Sequence, residues 1–306
     1  MNLVEYLKKA TDYLERHDIA SPRLNAELLL SSMLGISRLD VYTGFERALT
    51  EVESREYREL IVKRAAGAPL QYLTGEVGFR TLVLEVTPGV FIPRPETEVL
   101  VEKALEVLPN GEMDILDLGC GSGCIALSIA GERTGARVTA VDCERTAVEL
   151  SLRNAERTGL AERTTVLEGD LFEPLDGAAR SFDAIISNPP YVPDGAAESM
   201  MPEVRDYEPT RALFAGPDGL DVIKRIVAGA PEYLTVGGWL LLEVDESHAD
   251  KVVELLEPSG DSATPRMEPA RDGARWSDIE VCDDLAGRPR VVKARLASGG
   301  GGDAPD

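Results

Sequence analysis

Asp114-Ile-Leu-Asp-Leu-Gly-Cys-Gly-Ser-Gly123 is the stretch on which the fold turns. Its apolar half, Ile115–Leu118, has the length and composition of a buried strand. It runs without a break into glycines at 119, 121 and 123, and a helix is expected from near Ile125. Glycine lets the backbone turn sharply and approach a ligand closely. A strand feeding a glycine turn and then a helix opens an open α/β sheet, which binds ligands at the carboxyl ends of its strands. The spacing is G-x-G-x-G rather than the G-x-G-x-x-G of dinucleotide-binding folds, which argues against NAD.

Beyond this loop strands and helices alternate. Candidate strands are Ile115–Leu118, Arg137–Val141, Thr165–Leu167, Phe182–Ser187, Trp239–Val244, Asp278–Cys282 and Arg290–Leu296. Helical segments between most of them supply the right-handed crossovers of a parallel sheet. The last two candidates are joined by the short polar connection Asp283–Gly287, too short for a crossover, so they pair antiparallel. Six parallel strands and one reversed strand resemble the Rossmann-like, seven-stranded sheet of class I methyltransferases, an α/β fold.

Upstream the pattern is helical. Leu3, Leu7, Ala10 and Leu14 recur at helical spacing behind a capping box, Asn2-x-x-Glu5. Ser21-Pro22 offers an N-cap followed by proline at the first helical position. Thr50-x-x-Glu53 is a second capping box, opening a helix to about Ala66. From Gly75 the period changes. Leu82, Leu84 and Val86 form an apolar strand face, and Val83, Glu85 and Thr87 a mostly polar one, as in a half-buried hairpin. Phe91-Ile-Pro-Arg-Pro-Glu-Thr-Glu98 then leads into a helix of about residues 96–108. The expected organisation is a helical domain over 1–75, a β-hairpin linker over 76–90, a catalytic domain over 91–297 and a disordered tail over 298–306.

Composition bounds the function. The 306 residues suffice for two domains, and 43% are apolar. No apolar run approaches the ~18–20 residues needed to cross a bilayer. The amino-terminal segment also lacks the basic and apolar regions of a signal peptide, so a cytoplasmic protein without membrane contact is expected. Acidic residues number 54 against 32 basic ones, a formal net charge of −22. A field of that sign repels phosphate backbones and disfavours extended nucleic-acid binding. Four cysteines form no C-x-x-C pair and only two histidines are present, so no metal site is expected.

Strand ends carry the chemistry. The cofactor loop comprises Gly119, Cys120, Gly121, Ser122 and Gly123. Asp142 ends the second strand, where a carboxylate accepts both ribose hydroxyl protons of an adenosyl group. Gly169-Asp170-Leu171-Phe172 ends the third, where Asp170 is placed to accept from an adenine amino group and Leu171 or Phe172 to pack the ring. Taken singly, each acid also reads as a cap or turn residue. Asn188-Pro189-Pro190-Tyr191 ends the fourth. Two consecutive prolines fix two φ angles and remove two backbone donors, holding a side-chain amide and a row of carbonyls rigidly at the ligand edge. A row of acceptors suits a substrate NH2 group. Loop, acid, acid and Asn-Pro-Pro-Tyr on successive strand ends point together to S-adenosylmethionine as cofactor and methyl transfer to a planar amide or amino nitrogen.

The residues resemble the release-factor glutamine methyltransferases, which N5-methylate the glutamine of a Gly-Gly-Gln motif in peptide chain release factors. The likeness spans Gly67-Ala-Pro-Leu-Gln-Tyr-Leu-Thr-Gly75, Phe91–Glu98, the glycine loop, Asn188–Tyr191 and Tyr207-Glu-Pro-Thr-Arg-Ala-Leu-Phe-Ala-Gly216. Asn-Pro-Pro-Tyr is shared with nucleic-acid amino methyltransferases, and the related ribosomal-protein glutamine methyltransferases tend to carry Pro-Arg-Ser-Pro where this chain has Pro93-Arg94-Pro95-Glu96. The resemblance implies that Asn188 and Pro189 accept the two hydrogens of the substrate amide, with Tyr191 packed beside it. Asn188 to Tyr191 then form the substrate site, and Asn188 also borders the cofactor. Where the family often has a larger aromatic residue, this chain has Leu171. The implied partner is the release factor.

Overall fold

The computed structural model describes residues 2–44, 46–175, 182–257 and 275–298. Apart from Ser298, the expected disordered tail lies outside the described residues. The chain divides into two compact units. One comprises Met1–Val77, Val86–Pro88 and Ser199–Glu208, and the other Gly78–Glu85, Gly89–Glu198 and Pro209–Asp306.

The first unit is helical: α1 (Leu3–Glu15), α2 (Pro22–Leu34), α3 (Arg38–Thr43), α4 (Glu51–Ala65) and α5 (Leu70–Thr74). Leu3, Leu7, Ala10 and Leu14 of α1 are buried against Leu29, Leu30, Tyr57 and Ile61. Burying each such aliphatic side chain contributes about 1.5–3 kcal/mol. Both expected capping boxes form, with Asn2 and Thr50 each accepting from the N3 backbone amide while Glu5 and Glu53 reach back. A third, Ser37 with Asp40, opens α3. Ser21 departs from expectation: Pro22 does stand at the first helical position, but Ser21 is left-handed at φ 50° and its side chain makes no capping bond.

Ser199–Glu208, remote in sequence, belongs to this helical unit and contains the short helix α9 (Pro202–Arg205). A boundary at residue 75 does not anticipate this. The reason is Arg64, 5% exposed. Its guanidinium donates to Asn25 Oδ1 at 2.7 Å, to the Ala68 carbonyl at 2.9 Å and to Glu203 Oε1 at 2.7 Å. The Tyr207 hydroxyl adds a bond to the Ala66 carbonyl at 3.1 Å.

The hairpin forms as β1 (Glu76–Phe79) and β2 (Leu82–Glu85). Leu84 and Val86 are buried while Val83 faces outward, as the alternation requires. Its two-residue turn puts Arg80 at φ 50°. Glu132 holds the Arg80 guanidinium at 2.5 and 2.8 Å, and Glu98 Oε1 accepts from its backbone N–H at 2.9 Å.

The second unit is built on a seven-stranded sheet. After α6 (Pro95–Val107) come β3 (Met113–Leu118), α7 (Cys124–Glu132), β4 (Ala136–Asp142), α8 (Arg145–Thr158), β5 (Thr164–Glu168) and β6 (Phe182–Ser187). Then follow α10 (Asp221–Tyr233), β7 (Leu234–Glu243), α11 (Ala249–Leu256), β8 (Arg275–Asp283) and β9 (Pro289–Ala297). The strand order is β5-β4-β3-β6-β7-β9-β8, and β9 alone runs against its neighbours β7 and β8. This is the expected sheet with its expected antiparallel final pair. β7 begins at Leu234 rather than Trp239, because Gly237, at φ 90°, and Gly238 form an irregularity between Phe182 and Ala184 of the neighbouring strand. Leu116, Leu118, Ile185 and Leu242 from the strands pack with Ile223, Ile226 and Val227 of α10 to form the core. Among the described residues, no helix is long and apolar enough to cross a membrane.

Candidate active site

Register brings the chemistry to one edge. Leu118 stands opposite Val141 on one side and Ser187 on the other, and Ser187 stands opposite Leu242. The next residues, Gly119, Asp142, Asn188 and Glu243, therefore leave the sheet level with one another at its carboxyl edge.

Gly119, Gly121 and Gly123 have φ of 73°, 55° and 82°, in the left-handed region that disfavours any side chain. A Cβ on Gly119 would meet nothing within 4 Å, so the outer turn faces open space; one on Gly123 would strike Ser151 Oγ at 2.5 Å, where the loop packs on α8. The amides of Gly119 and Cys120 donate to the Val141 carbonyl at 2.8 and 3.0 Å. Gly121 N–H donates to Asp142 Oδ2 at 2.8 Å, and Glu144 N–H to Asp142 Oδ1 at 2.9 Å. The acid thus braces the loop, and each of its oxygens keeps lone-pair capacity for a ligand hydroxyl. Burial pushes its carboxyl upward against those two amides.

Cys120 and Ser122 are buried within the loop, and burial drives the thiols of Cys120 and Cys124 well up, which leaves them protonated and unreactive. Among the described residues, no group of His, Cys, Asp and Glu could hold a metal ion. Asp117, fully buried, caps α7 by accepting from Ala126 N–H at 3.1 Å, while its Oδ1 has no partner. Burial pushes this carboxyl up to about 7.

At the next strand end, Asp170 Oδ2 accepts from Arg225 at 2.9 Å. Leu171 turns the chain at φ 54° and packs against the core beneath. Phe172 stacks on Tyr233 at 4.7 Å between ring centroids, which commits its face to α10. Of the two candidates for a ring contact, Phe172 alone has its face covered by an aromatic stack.

Asn188 is half-buried and Pro189 buried. Asn188 Nδ2 donates to Thr97 Oγ1 of α6 at 3.1 Å. Glu243, 1% exposed at the end of β7, follows the Leu242 that pairs with Ser187 and so stands beside Asn188, and the Thr97 and Asn188 side chains favour its ionised form. Its Oε2 has no hydrogen-bond partner. Burial pushes this carboxyl up to about 7, opposed by the Thr97 and Asn188 side chains and by Arg290. Tyr191 packs against the core, and its phenol is raised by burial and then by the charge of Glu243. After Tyr191 the chain is held extended: Val192 N–H donates to Leu213 O at 2.8 Å and Ala215 N–H to Val192 O at 3.0 Å. The Leu213–Gly216 end of the Tyr207–Gly216 stretch is therefore a brace for Asn-Pro-Pro-Tyr.

Sequence reasoning did not find Glu243. A signal existed for Glu243, a lone acid inside Leu240-Leu-Leu-Glu-Val244. An acid in a buried apolar strand needs a reason. Arg94, at the N-cap position of α6, makes no side-chain capping bond and stacks over Phe91 at 5.0 Å.

Parallel strands with one reversed strand second from the edge, ending in a glycine cradle and an acid, define a class I S-adenosylmethionine-dependent methyltransferase. Residues 5–75 match the PrmC N-terminal domain and residues 86–204 the methyltransferase small domain. The release factor glutamine methyltransferase of Geobacter sulfurreducens is 44% identical over 284 residues, 93% of each chain. That of Koribacter versatilis is 40% identical over 296 residues, 96% of this chain and 99% of the relative. The chain belongs to the release factor glutamine methyltransferase family.

Proposed function

We propose that this protein transfers a methyl group from S-adenosylmethionine to the side-chain amide nitrogen of the glutamine in the Gly-Gly-Gln motif of peptide chain release factors. The observation that carries the reading is the end-to-end match to release factor glutamine methyltransferases, through both the helical and the sheet unit.

The residues at the sheet edge fit the cofactor. Open space outside Gly119 admits it, Asp142 offers acceptors for its ribose hydroxyls, and Asp170 and Leu171 stand at the next strand end for its adenine. When bound, the cofactor supplies a methyl group already activated on a sulfonium. The protein's work is on the other reactant. An amide nitrogen is a poor nucleophile because its lone pair is shared with the carbonyl. Asn188 Oδ1 and the Pro189 carbonyl accept its two hydrogens, draw the nitrogen toward a pyramidal geometry and aim the lone pair. Tyr191 packs beside the amide. This is catalysis by orientation and preorganised dipoles. No strong base is required beforehand, because the nitrogen becomes acidic as the new N–C bond forms and its proton then leaves to water. The helical unit selects the release factor, since the cofactor loop, the acids and Asn-Pro-Pro-Tyr all lie in the sheet unit.

Incubation with labelled S-adenosylmethionine and an intact release factor, followed by peptide mass spectrometry, tests the reading. One added methyl on the Gly-Gly-Gln glutamine is expected. Label on another residue, or on nucleic acid alone, would refute it.

A further inference from the structure

Asn188 matters to the proposed chemistry only if its oxygen, not its nitrogen, faces the substrate amide. An asparagine amide is nearly symmetric in shape, so packing alone does not choose between its two ends. Something must choose.

The surroundings of Asn188 contain such a device. Thr97 Oγ1 lies 3.1 Å from Asn188 Nδ2. Glu243 follows Leu242, which pairs with Ser187, so it stands beside Asn188 on the neighbouring strand in a position that is 1% exposed. Above pH about 7 Glu243 is a carboxylate, which only accepts hydrogen bonds, and a threonine hydroxyl has a single hydrogen to give. With that hydrogen donated to Glu243, Thr97 Oγ1 is left as an acceptor toward Asn188. Both neighbours of Asn188 on this side are then acceptors, and only its NH2 end satisfies them. The carbonyl end is turned the other way.

We infer that Glu243, acting directly and through Thr97, is a positioning residue that fixes the amide of Asn188 with Oδ1 toward the substrate. The inference rests on the methyltransferase reading above. In this reading Glu243, 1% exposed, acts through Asn188 rather than on the reactants. An apolar residue in its place would fill the end of β7 at less electrostatic cost. The acid earns its position only by being an acceptor. Its bare Oε2 fits this: the group is not placed for a complete set of partners.

The test compares wild type with Asn188→Ala, Glu243→Gln, Thr97→Val and Thr97→Ser. For each, kcat and KM are measured on intact release factor, cofactor Kd by calorimetry and melting temperature by scanning. A glutamine at position 243 would present a donor as well as an acceptor and so release the choice of amide end, while a valine at position 97 breaks the link. Glu243→Gln and Thr97→Val are expected to lower kcat about 10-fold, the low end of what losing an orienting partner costs at metal sites. Cofactor Kd should stay within about twofold and melting temperature should not fall, a split that a purely structural role would not give. Thr97→Ser, which keeps the hydroxyl, should recover most of the turnover lost in Thr97→Val. The inference is overturned if both variants keep more than half of wild-type kcat while Asn188→Ala abolishes it. It is equally overturned if their losses track cofactor affinity or melting temperature. A wild-type enzyme that leaves the glutamine unmethylated would overturn the reading of function, and this inference with it.

Discussion

Glu27 in the helical unit and Glu243 in the sheet unit are both buried carboxyls, 2% and 1% exposed, yet their surroundings are opposite. Glu27 is surrounded by donors: Arg23 at 2.9 Å, Arg38 at 2.6 Å and the Tyr42 hydroxyl. Burial pushes its carboxyl up, and those three bonds more than reverse the push. Glu243 has an uncharged pair, Thr97 and Asn188, and one oxygen with nothing. Its carboxyl stays high, at about 7. Asp117, also buried with a bare oxygen, does likewise. Glu27 has its donors, whereas Glu243 and Asp117 are each left with a bare oxygen. Unsatisfied acids beside a ligand edge mark chemistry, whereas satisfied ones mark architecture.

The strongest way to break that distinction is Asn188→Ala. Turnover is expected to fall by about 10²–10³, the cost of losing one preorganised hydrogen-bond partner, with cofactor binding little changed. Near-wild-type turnover in a steady-state assay would remove the site from this edge. Asp142→Ala is expected to weaken cofactor binding by about 1.5–3 kcal/mol, the value of a hydrogen bond to a charged group. Calorimetry that finds the affinity unchanged would leave Asp142 as a brace for Gly121 and Glu144 alone.

Two glutamine substitutions sharpen the contrast itself. A folded carboxyl held low contributes stability above its unfolded pKa, and that stability is lost as pH falls through the folded value. Glu27→Gln should therefore cost about 1–2 kcal/mol at pH 7, discounted because Arg23 and Arg38 are half or more exposed, and much less near pH 3. A folded carboxyl held high has the opposite sign: its stability is present below the unfolded pKa and lost as pH rises through about 7. Glu243→Gln should then raise stability at pH 8 by about 1 kcal/mol, part of the 1.4 kcal/mol that each pKa unit represents, with little gain near pH 4. Arg290 and Glu96, the charged groups acting on this carboxyl, oppose one another and leave burial in control. Denaturant titrations of both variants at both pH values would decide; a loss of stability for Glu243→Gln at pH 8 would erase the contrast.

The sheet was legible because its signals are local. Each strand is an apolar run bounded by polar or glycine residues, and Asp283–Gly287 is too short for any connection but a hairpin. Asn2 with Glu5 and Thr50 with Glu53 were legible for the same reason, each box lying within four residues. What stayed hidden joins distant positions. Thr97 and Asn188 are 91 residues apart, and their bond leaves no periodicity. Phe172 reads as a ring for adenine until Tyr233 is seen stacked on it. Ser21 looks like a cap because composition cannot report a φ of 50°.

Arg64 has a consequence for how the chain is made. The helices over residues 3–74 leave the ribosome before the strands of the sheet, with an apolar core already available to them. Their buried guanidinium must then await Glu203, 139 residues downstream, while the strands β3 to β6 emerge in between. During that interval the amino-terminal helices hold a charge without its counterion, and closing so long a loop is slow. The helical unit thus begins before strands β3 to β6 and is completed only after them. A ribosome stalled before Ser199 should display it loosely packed and open to proteases, whereas release of the segment through Glu208 should protect it.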